Sequence, residues 1–329
     1  MSPARRGVMT SAALKFLACT VLLLIVLVIS LSVGRYPLSL FSLDSESKEI
    51  LFAVRFPRVL MAVIAGAVLG SSSTALQAVF RNPLASPYIL GVTQGAAFGA
   101  GLAMLLLPPN PLAVTLFALV FALLAVAVVL ALAKVHGATS PLLLVLSGVV
   151  VGAMFTAGLS AIQWLIDPWR LQGLVFWLMG GLYRVTWEKY AVSIPGVAVG
   201  LALLMLMRWR LDLLSLSDDE ARSLGVDVER ERLVIVSAAA LSIASITCST
   251  GIIAFIGLVI PHIARPFFGS ENRVLLPASA LVGGIVVLLA DTLCRSLLPM
   301  EIPISIVTTL ISVPYLAYLL RKVASGWAT

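Results

Sequence analysis

Apolar residues in this chain come in long unbroken runs, without the strict alternation of a half-buried strand or the single stripe of a surface helix. Charge is absent from residues 59–80, 82–133, 137–166, 190–207, 233–264, 274–290 and 302–320. A helix crossing the hydrocarbon core needs about 20 apolar residues, so these runs predict membrane spans, with the longest holding two. A further apolar run, 16–33, follows Arg5, Arg6 and Lys15. It is long for a signal-peptide core and lacks a small-x-small cleavage site at its end, so it reads as a retained first span.

Proline and charge punctuate the runs. A polar excursion over 34–56 precedes a second span from about 57 to 78, which Arg81-Asn82-Pro83-Leu84-Ala85-Ser86-Pro87 ends, because two prolines restrict the chain to a turn. The third span reaches Leu107, where Pro108-Pro109-Asn110-Pro111 forces a reversal, and the fourth ends near Lys134 in a short basic turn through His136 and Gly137. The fifth span covers about 140–166 and the sixth about 190–207. Between them, 171–183 is apolar but too short to cross, and it reads as an interfacial or re-entrant piece.

Charge decides the next segment. Residues 233–264 form either one over-long helix or two spans joined by a tight turn near Thr250-Gly251. With two crossings, Arg265, Arg273, Arg321 and Lys322 share the side of the N-terminus and only Arg295 opposes them, as the positive-inside rule favours. The ninth span then runs from about 276 to 297 and the tenth from 303 to 320, with both termini cytoplasmic. This is an all-α, polytopic membrane protein of about ten transmembrane helices, a single transmembrane domain over 1–329 with no room for a separate soluble one.

Composition agrees, with 60% hydrophobic and 11% charged residues and a mean hydropathy of +1.09. The net charge of +7 is explained by sidedness rather than by nucleic acid. Even so, more basic residues fall outside than orientation requires. Arg55 and Arg58, one turn apart at the mouth of the second span, and Arg295 at the mouth of the ninth suggest an outward cationic patch for an acidic partner. Snorkelling to lipid phosphates is the alternative.

Charge is densest over 211–232. There Ser217 reads as an N-cap, Glu220 closes a capping box, Asp218 and Asp219 lie at the positive end of the dipole, and Gly225 stops a short helix. A capped, water-facing helix between spans is either a docking handle for a soluble partner or a solvated loop.

Several chemistries are missing. No lysine stands in a P-loop, and His136 and His262 have no acid or second histidine at metal-ligand spacing. Cys19, Cys248 and Cys294 lie in apolar segments as small core residues, and no Ser/His/Asp set can be assembled. Asp291 is the one acid deep in an apolar run. It reads as the partner of Arg295, one turn away, or as the proton carrier of a secondary transporter. Glycines at spacing four (Gly66 and Gly70; Gly91, Gly95 and Gly99; Gly148 and Gly152) allow helix backbones to approach closely.

Specific strings run in order along almost the whole chain. They are Arg55-Phe56-Pro57-Arg58, Gln77 with 81–87, Leu90-Gly91-Val92, Trp177-Leu178-Met179-Gly180, Leu224-Gly225-Val226, the block 255–265 containing Pro261-His262, Leu276-Pro277-Ala278 and Ala290-Asp291-Thr292. Together they resemble the FecCD-type permeases, membrane subunits of ABC importers for iron-siderophores, haem and cobalamin.

The resemblance implies the type II ABC importer permease fold in a bacterial or archaeal cytoplasmic (inner) membrane. It implies a homodimer or paralogous pair around a central pathway, two ATPase subunits below and a substrate-binding protein above. The chain itself would bind no cofactor or metal, ATP and Mg belonging to the partner ATPase. By position, Arg55, Arg58 and Arg295 would meet glutamates of the binding protein. Ser217, Asp218, Asp219, Glu220, Ala221, Arg222, Leu224 and Gly225 would form the coupling helix, within a cytoplasmic segment of about 211–230. Asn82, Leu84, Thr139 and Ser140 would narrow the cytoplasmic end of a pathway lined chiefly by the fifth and tenth spans, with Pro303 and Pro314 letting the tenth bend.

Overall fold

The computed structural model describes the backbone of residues 3–34, 44–135 and 138–327. His136 and Gly137, the tip of the expected basic turn, lie outside the described residues. The first helix, α1, is Pro3–Ser32. Next, α2 (Ser45–Glu49), a π-helical stretch (Ile50–Arg55) and α3 (Phe56–Phe80) run on as one continuous rod. Residues 45–56, expected to be a polar excursion, are therefore helical, because Asp44 caps the rod by accepting from the Ser47 amide.

α4 (Val92–Leu106) and α5 (Pro111–Ala133) follow, and a two-residue ladder pairs β1 (Lys134–Val135) with β2 (Ala138–Thr139). Beyond it come α6 (Pro141–Leu165), the short α7 (Pro168–Leu178) and α8 (Trp187–Leu214). α5, α6 and α7 start alike: Asn110, Ser140 and Asp167 accept from first-turn amides, and proline fills the first helical position, where no amide is needed.

The charged stretch is divided among three helices. Leu211–Leu214 closes α8, α9 is Asp218–Ser223, and Arg230 to Arg232 already belong to α10 (Val228–Thr250). The chain completes with α11 (Ile256–Phe268), α12 (Asn272–Ser296) and α13 (Ile304–Trp327). Among the described residues seven helices are long and apolar enough to cross a membrane and three more are shorter and apolar, which matches the expected ten.

Burial separates centre from periphery. The spanning windows of α3 and α10 are each 78% buried and that of α12 67%, against 6% for α1, 22% for α8 and 28% for α6. Between α3 and α12 glycine sets the distance. A Cβ placed on Gly66 would stand 2.0 Å from the Gly283 carbonyl oxygen, and one on Gly283 would stand 2.1 Å from that of Gly66. Close backbone approach of this kind supplies the packing that apolar surface cannot supply in lipid. Gly66→Leu is expected to reduce the yield of monodisperse protein severalfold on gel filtration, since overpacking costs about 1–3 kcal/mol or more. Gly173→Ala, where an added Cβ meets nothing within 4 Å, is the unchanged control.

The 233–264 run breaks where charge placed the break. α10 ends at Thr250, Gly251 takes φ +69°, and Phe255, at φ 59°, opens α11. Irregular backbone inside a membrane needs protein partners. Here the Gly181 amide donates to the Thr250 carbonyl at 2.8 Å, and the Ser305 hydroxyl donates to the Ile252 carbonyl at 2.7 Å and accepts from the Ala254 amide at 3.1 Å. The start of α13 and the end of α7 thus close the gap.

Candidate functional site

Two charge clusters lie at opposite ends of the α3 rod. At its N-terminal end stand the three arginines expected to face outward. They do not form an exposed patch: Arg55, Arg58 and Arg295 are only 5%, 6% and 5% exposed. Arg58 Nη2 lies 2.9 Å from Asp291 Oδ1, and Nη1 donates to Glu301 Oε1 at 2.9 Å. Arg55 donates to the carbonyls of Leu31 and Ser32 at 2.7 and 2.9 Å, and Arg295 to the carbonyl and hydroxyl of Ser30. The cause is the close approach of α3 and α12, which seats the arginines opposite a buried carboxylate and the uncapped carbonyls ending α1.

Asp291 is 1% exposed. Its expected intrahelical partner, Arg295, stands at 3.8 Å, whereas Arg58, from another helix, is at 2.9 Å. Its tightest partner is therefore interhelical. An oxygen pair gripped by one guanidinium and flanked by a second is a fixed counter-ion that ties α3 to α12.

The other end carries α9. Its capping box forms as expected: the Ser217 hydroxyl accepts from the Glu220 amide, and the Glu220 carboxylate accepts from the Ser217 amide at 2.9 Å. Ala221 is fully buried, while Asp219, at 98% side-chain exposure, Arg222 and Leu224 face outward, and Gly225 ends the turn at φ +80°. One face is seated and the other is open.

Asp218 is the hub of this end. Arg81, in left-handed conformation at the end of α3, donates to it, and Arg232, in the first turns of α10, donates to the same oxygen at 2.8 Å. Burial works to raise the Asp218 pKa, but hydrogen bonds and charge from Arg232 and Arg81 outweigh it and hold the carboxyl below its ordinary value. Arg232 reaches on to the Thr139 carbonyl at 2.5 Å, and Arg81 to the Leu214 carbonyl at 3.2 Å.

These bonds bring the four constriction residues of the sequence to the same hub. Asn82 follows Arg81 directly and accepts from the Leu84 amide at 2.9 Å, leaving the Leu84 side chain 49% exposed. Thr139 is held by Arg232, and its neighbour Ser140 caps α6 by accepting from Leu143 at 3.2 Å. His262 meets the Pro83 carbonyl at 3.0 Å. Sequence reasoning missed Arg81 and Arg232 as members, reading Arg81 only within the 81–87 turn and Arg232 only as the end of the charged stretch. Arg81 and Asp218 are 137 residues apart, so no local pattern joins them.

Inside the protomer, at the α10–α11 break, a cavity of about 400 Å³ is lined by Tyr88, Thr93, Thr247, Thr250, Phe255 and Leu258 among others. Among the described residues no group of three or more His, Cys, Asp or Glu is placed to hold a metal ion.

Comparison with known proteins sets this geometry in context. The molybdate import system permease protein MolB of Haemophilus influenzae is 36% identical over 93% of this chain and 95% of its own length. The Fe(3+)-citrate import system permease protein YfmE of Bacillus subtilis is 35% identical over 94% and 95%. A solved inward-facing structure, provisionally assigned to the metal-chelate type of ABC transporter, superposes with a TM-score of 0.86 at 36% identity, covering 94% of this chain and 99% of that one. The sequence pattern of the FecCD transport family matches residues 21–322, and with that span and those identities the chain belongs to the FecCD transport family.

Proposed function

We propose that this chain is the membrane-spanning permease subunit of an ABC importer, carrying a metal chelate across the cytoplasmic membrane while separate subunits hydrolyse ATP. A ferric siderophore is the first candidate cargo, with haem and cobalamin next. The observation that carries the reading is the Asp218 hub, in which one carboxylate of a short open-faced helix holds both segments flanking the cytoplasmic end. A motor gripping the open face of α9 moves Arg81 and Arg232 with it, and through them the 82–84 turn and the start of α6.

The chain works as a homodimer in this reading. α6 presents Leu142, Leu146, Val149, Val150 and Met154, each at least 52% exposed, and α13 presents Leu310 and Ile311. A second protomer covering these faces encloses an uncharged pathway that holds cargo weakly, leaving selectivity to the binding protein. Docking acts at Arg55, Arg58 and Arg295 by exchange. Glu301 is 29% exposed at its side chain, so an incoming carboxylate displaces it from Arg58 while Asp291 keeps its own bond. Both termini are then cytoplasmic.

The test is uptake into proteoliposomes holding this chain with its ATPase and binding protein. Uptake is expected to require ATP and to survive a proton ionophore, while the chain alone moves nothing. A secondary transporter with Asp291 as carrier predicts the reverse: uptake without ATP that the ionophore collapses.

A further inference from the structure

A second cavity, of about 460 Å³, opens at the end of the bundle where Arg58 lies, between the α4–α5 turn and the start of α8. Trp187 rings against Phe56 at 6.0 Å, and Tyr190 donates to the Pro57 carbonyl at 2.5 Å, which fixes that placement. Its walls combine apolar Met104, Val114 and Trp177 with Asn110, Arg184, Thr186 and Lys189. Lys189 is the telling residue. It is 7% exposed and makes no side-chain hydrogen bond or ion pair among the described residues. The charge beside it, Arg184, has its own sign.

The Lys189 stem is buried while its ammonium opens onto the cavity without a counter-ion, and a confined cation of this kind is best completed by an anion. The backbone adds to the same field. Thr186 starts α8 without a side-chain cap, so the amides of Trp187 and Glu188 have no acceptor among the described residues and sit at the positive end of a 28-residue helix. Asn110 commits its oxygen to capping α5, which leaves its amide nitrogen to donate. The one carboxylate on the wall, Glu188, is exposed and pairs with neither cation.

We infer that this cavity binds a phosphate oxyanion, presented by an anionic phospholipid headgroup or free in solution, with Lys189 and Arg184 as its counter-ions and the open amides of α8 as further donors. The apolar wall beside the charges suits the glycerol end of a lipid, and a free phosphate would use the polar half alone.

The experiment uses the purified full chain in mixed micelles. From equal parts phosphatidylcholine and phosphatidylglycerol, native mass spectrometry is expected to show phosphatidylglycerol retained on the wild type and on Lys189→Arg. Lys189→Met and Arg184→Gln are expected to bind it roughly tenfold more weakly or worse, the usual consequence of losing a charge-assisted bond. A parallel arm in phosphatidylcholine alone adds inorganic phosphate. A rise in melting temperature for the wild type but not for Lys189→Met assigns the site to a free anion. Arg184→Gln, on a half-buried side chain, keeps the test decisive if Lys189→Met fails to fold. Equal lipid retention and equal phosphate response in wild type and variants would overturn the inference. So would occupation by an acidic protein partner alone.

Discussion

Arg58→Leu is expected to remove most folded protein from the membrane, and Arg58→Leu with Asp291→Leu and Glu301→Gln to restore much of it. The single change leaves Asp291, 1% exposed, with only the more distant Arg295, and strips Glu301 of its ion pair. Removing one member of a buried pair costs about 3–5 kcal/mol because the other charge stays desolvated, whereas replacing both members of the Arg58–Asp291 pair together is often close to neutral, with Arg295 keeping its bonds to Ser30. Detergent-extracted yield and melting temperature measure this. A single variant as stable as wild type would show that the α3–α12 tie contributes little. A triple variant no better than the single would move the defect to lost packing. The restored triple variant is also the one in which to examine docking, because it removes Arg58 without an orphaned carboxylate.

The second large effect concerns coupling. Asp218→Asn is expected to cut ATP-driven uptake at least tenfold while leaving the chain folded and able to bind its ATPase. Asparagine keeps an oxygen that can accept from both guanidinium groups but carries no charge, and Arg232, with a side chain only 2% exposed, loses its counter-ion. Each charge-assisted bond is worth about 1.5–3 kcal/mol, enough to detach the lever from the segments it moves. Asp218→Glu keeps the charge and is expected to retain part of the activity.

The pH dependence follows from the depressed carboxyl. A group whose folded pKa lies below its unfolded value contributes stability that is full above the unfolded value and is lost as pH falls through the folded one. The hub should therefore hold from neutrality down to about the ordinary aspartate value of 3.8 and weaken only below it. Coupling lost instead between pH 7 and 5 would mean that another group controls it. ATPase activity compared with uptake separates a broken lever from lost assembly, since only the former keeps hydrolysis without transport.

What was legible in the sequence depended on range. The capping box at Ser217 and Glu220 is a contact three residues long, and it forms as read. The break at Thr250-Gly251 was settled by counting basic residues on either side of a membrane, and the structure ends a helix there. Spans were legible because lipid demands unbroken apolar length, a property of composition that needs no partner. The arginine cluster was legible as charge but not as geometry. Arg55, Arg58 and Arg295 read as outward facing, yet their guanidinium groups turn inward to carbonyls and carboxylates that only helix packing supplies. The Asp291–Arg295 pair read from helical spacing forms at 3.8 Å, but Arg58 stands closer, since spacing names candidates on one helix and is blind to a closer one on the next.

By itself, then, the sequence determined a polytopic helical bundle, where most of its helices begin and end, and a capped polar helix between two of them, because each follows from hydration and short-range hydrogen bonding along the chain. The tertiary structure alone decided that Gly66 brings α3 against α12, that Arg58 rather than Arg295 holds Asp291 most closely, and that Asp218 gathers Arg81 and Arg232. Those pairings join residues far apart in the chain. The strength of each depends on distances of a few ångströms and on exclusion of solvent, and both exist only once the helices have packed.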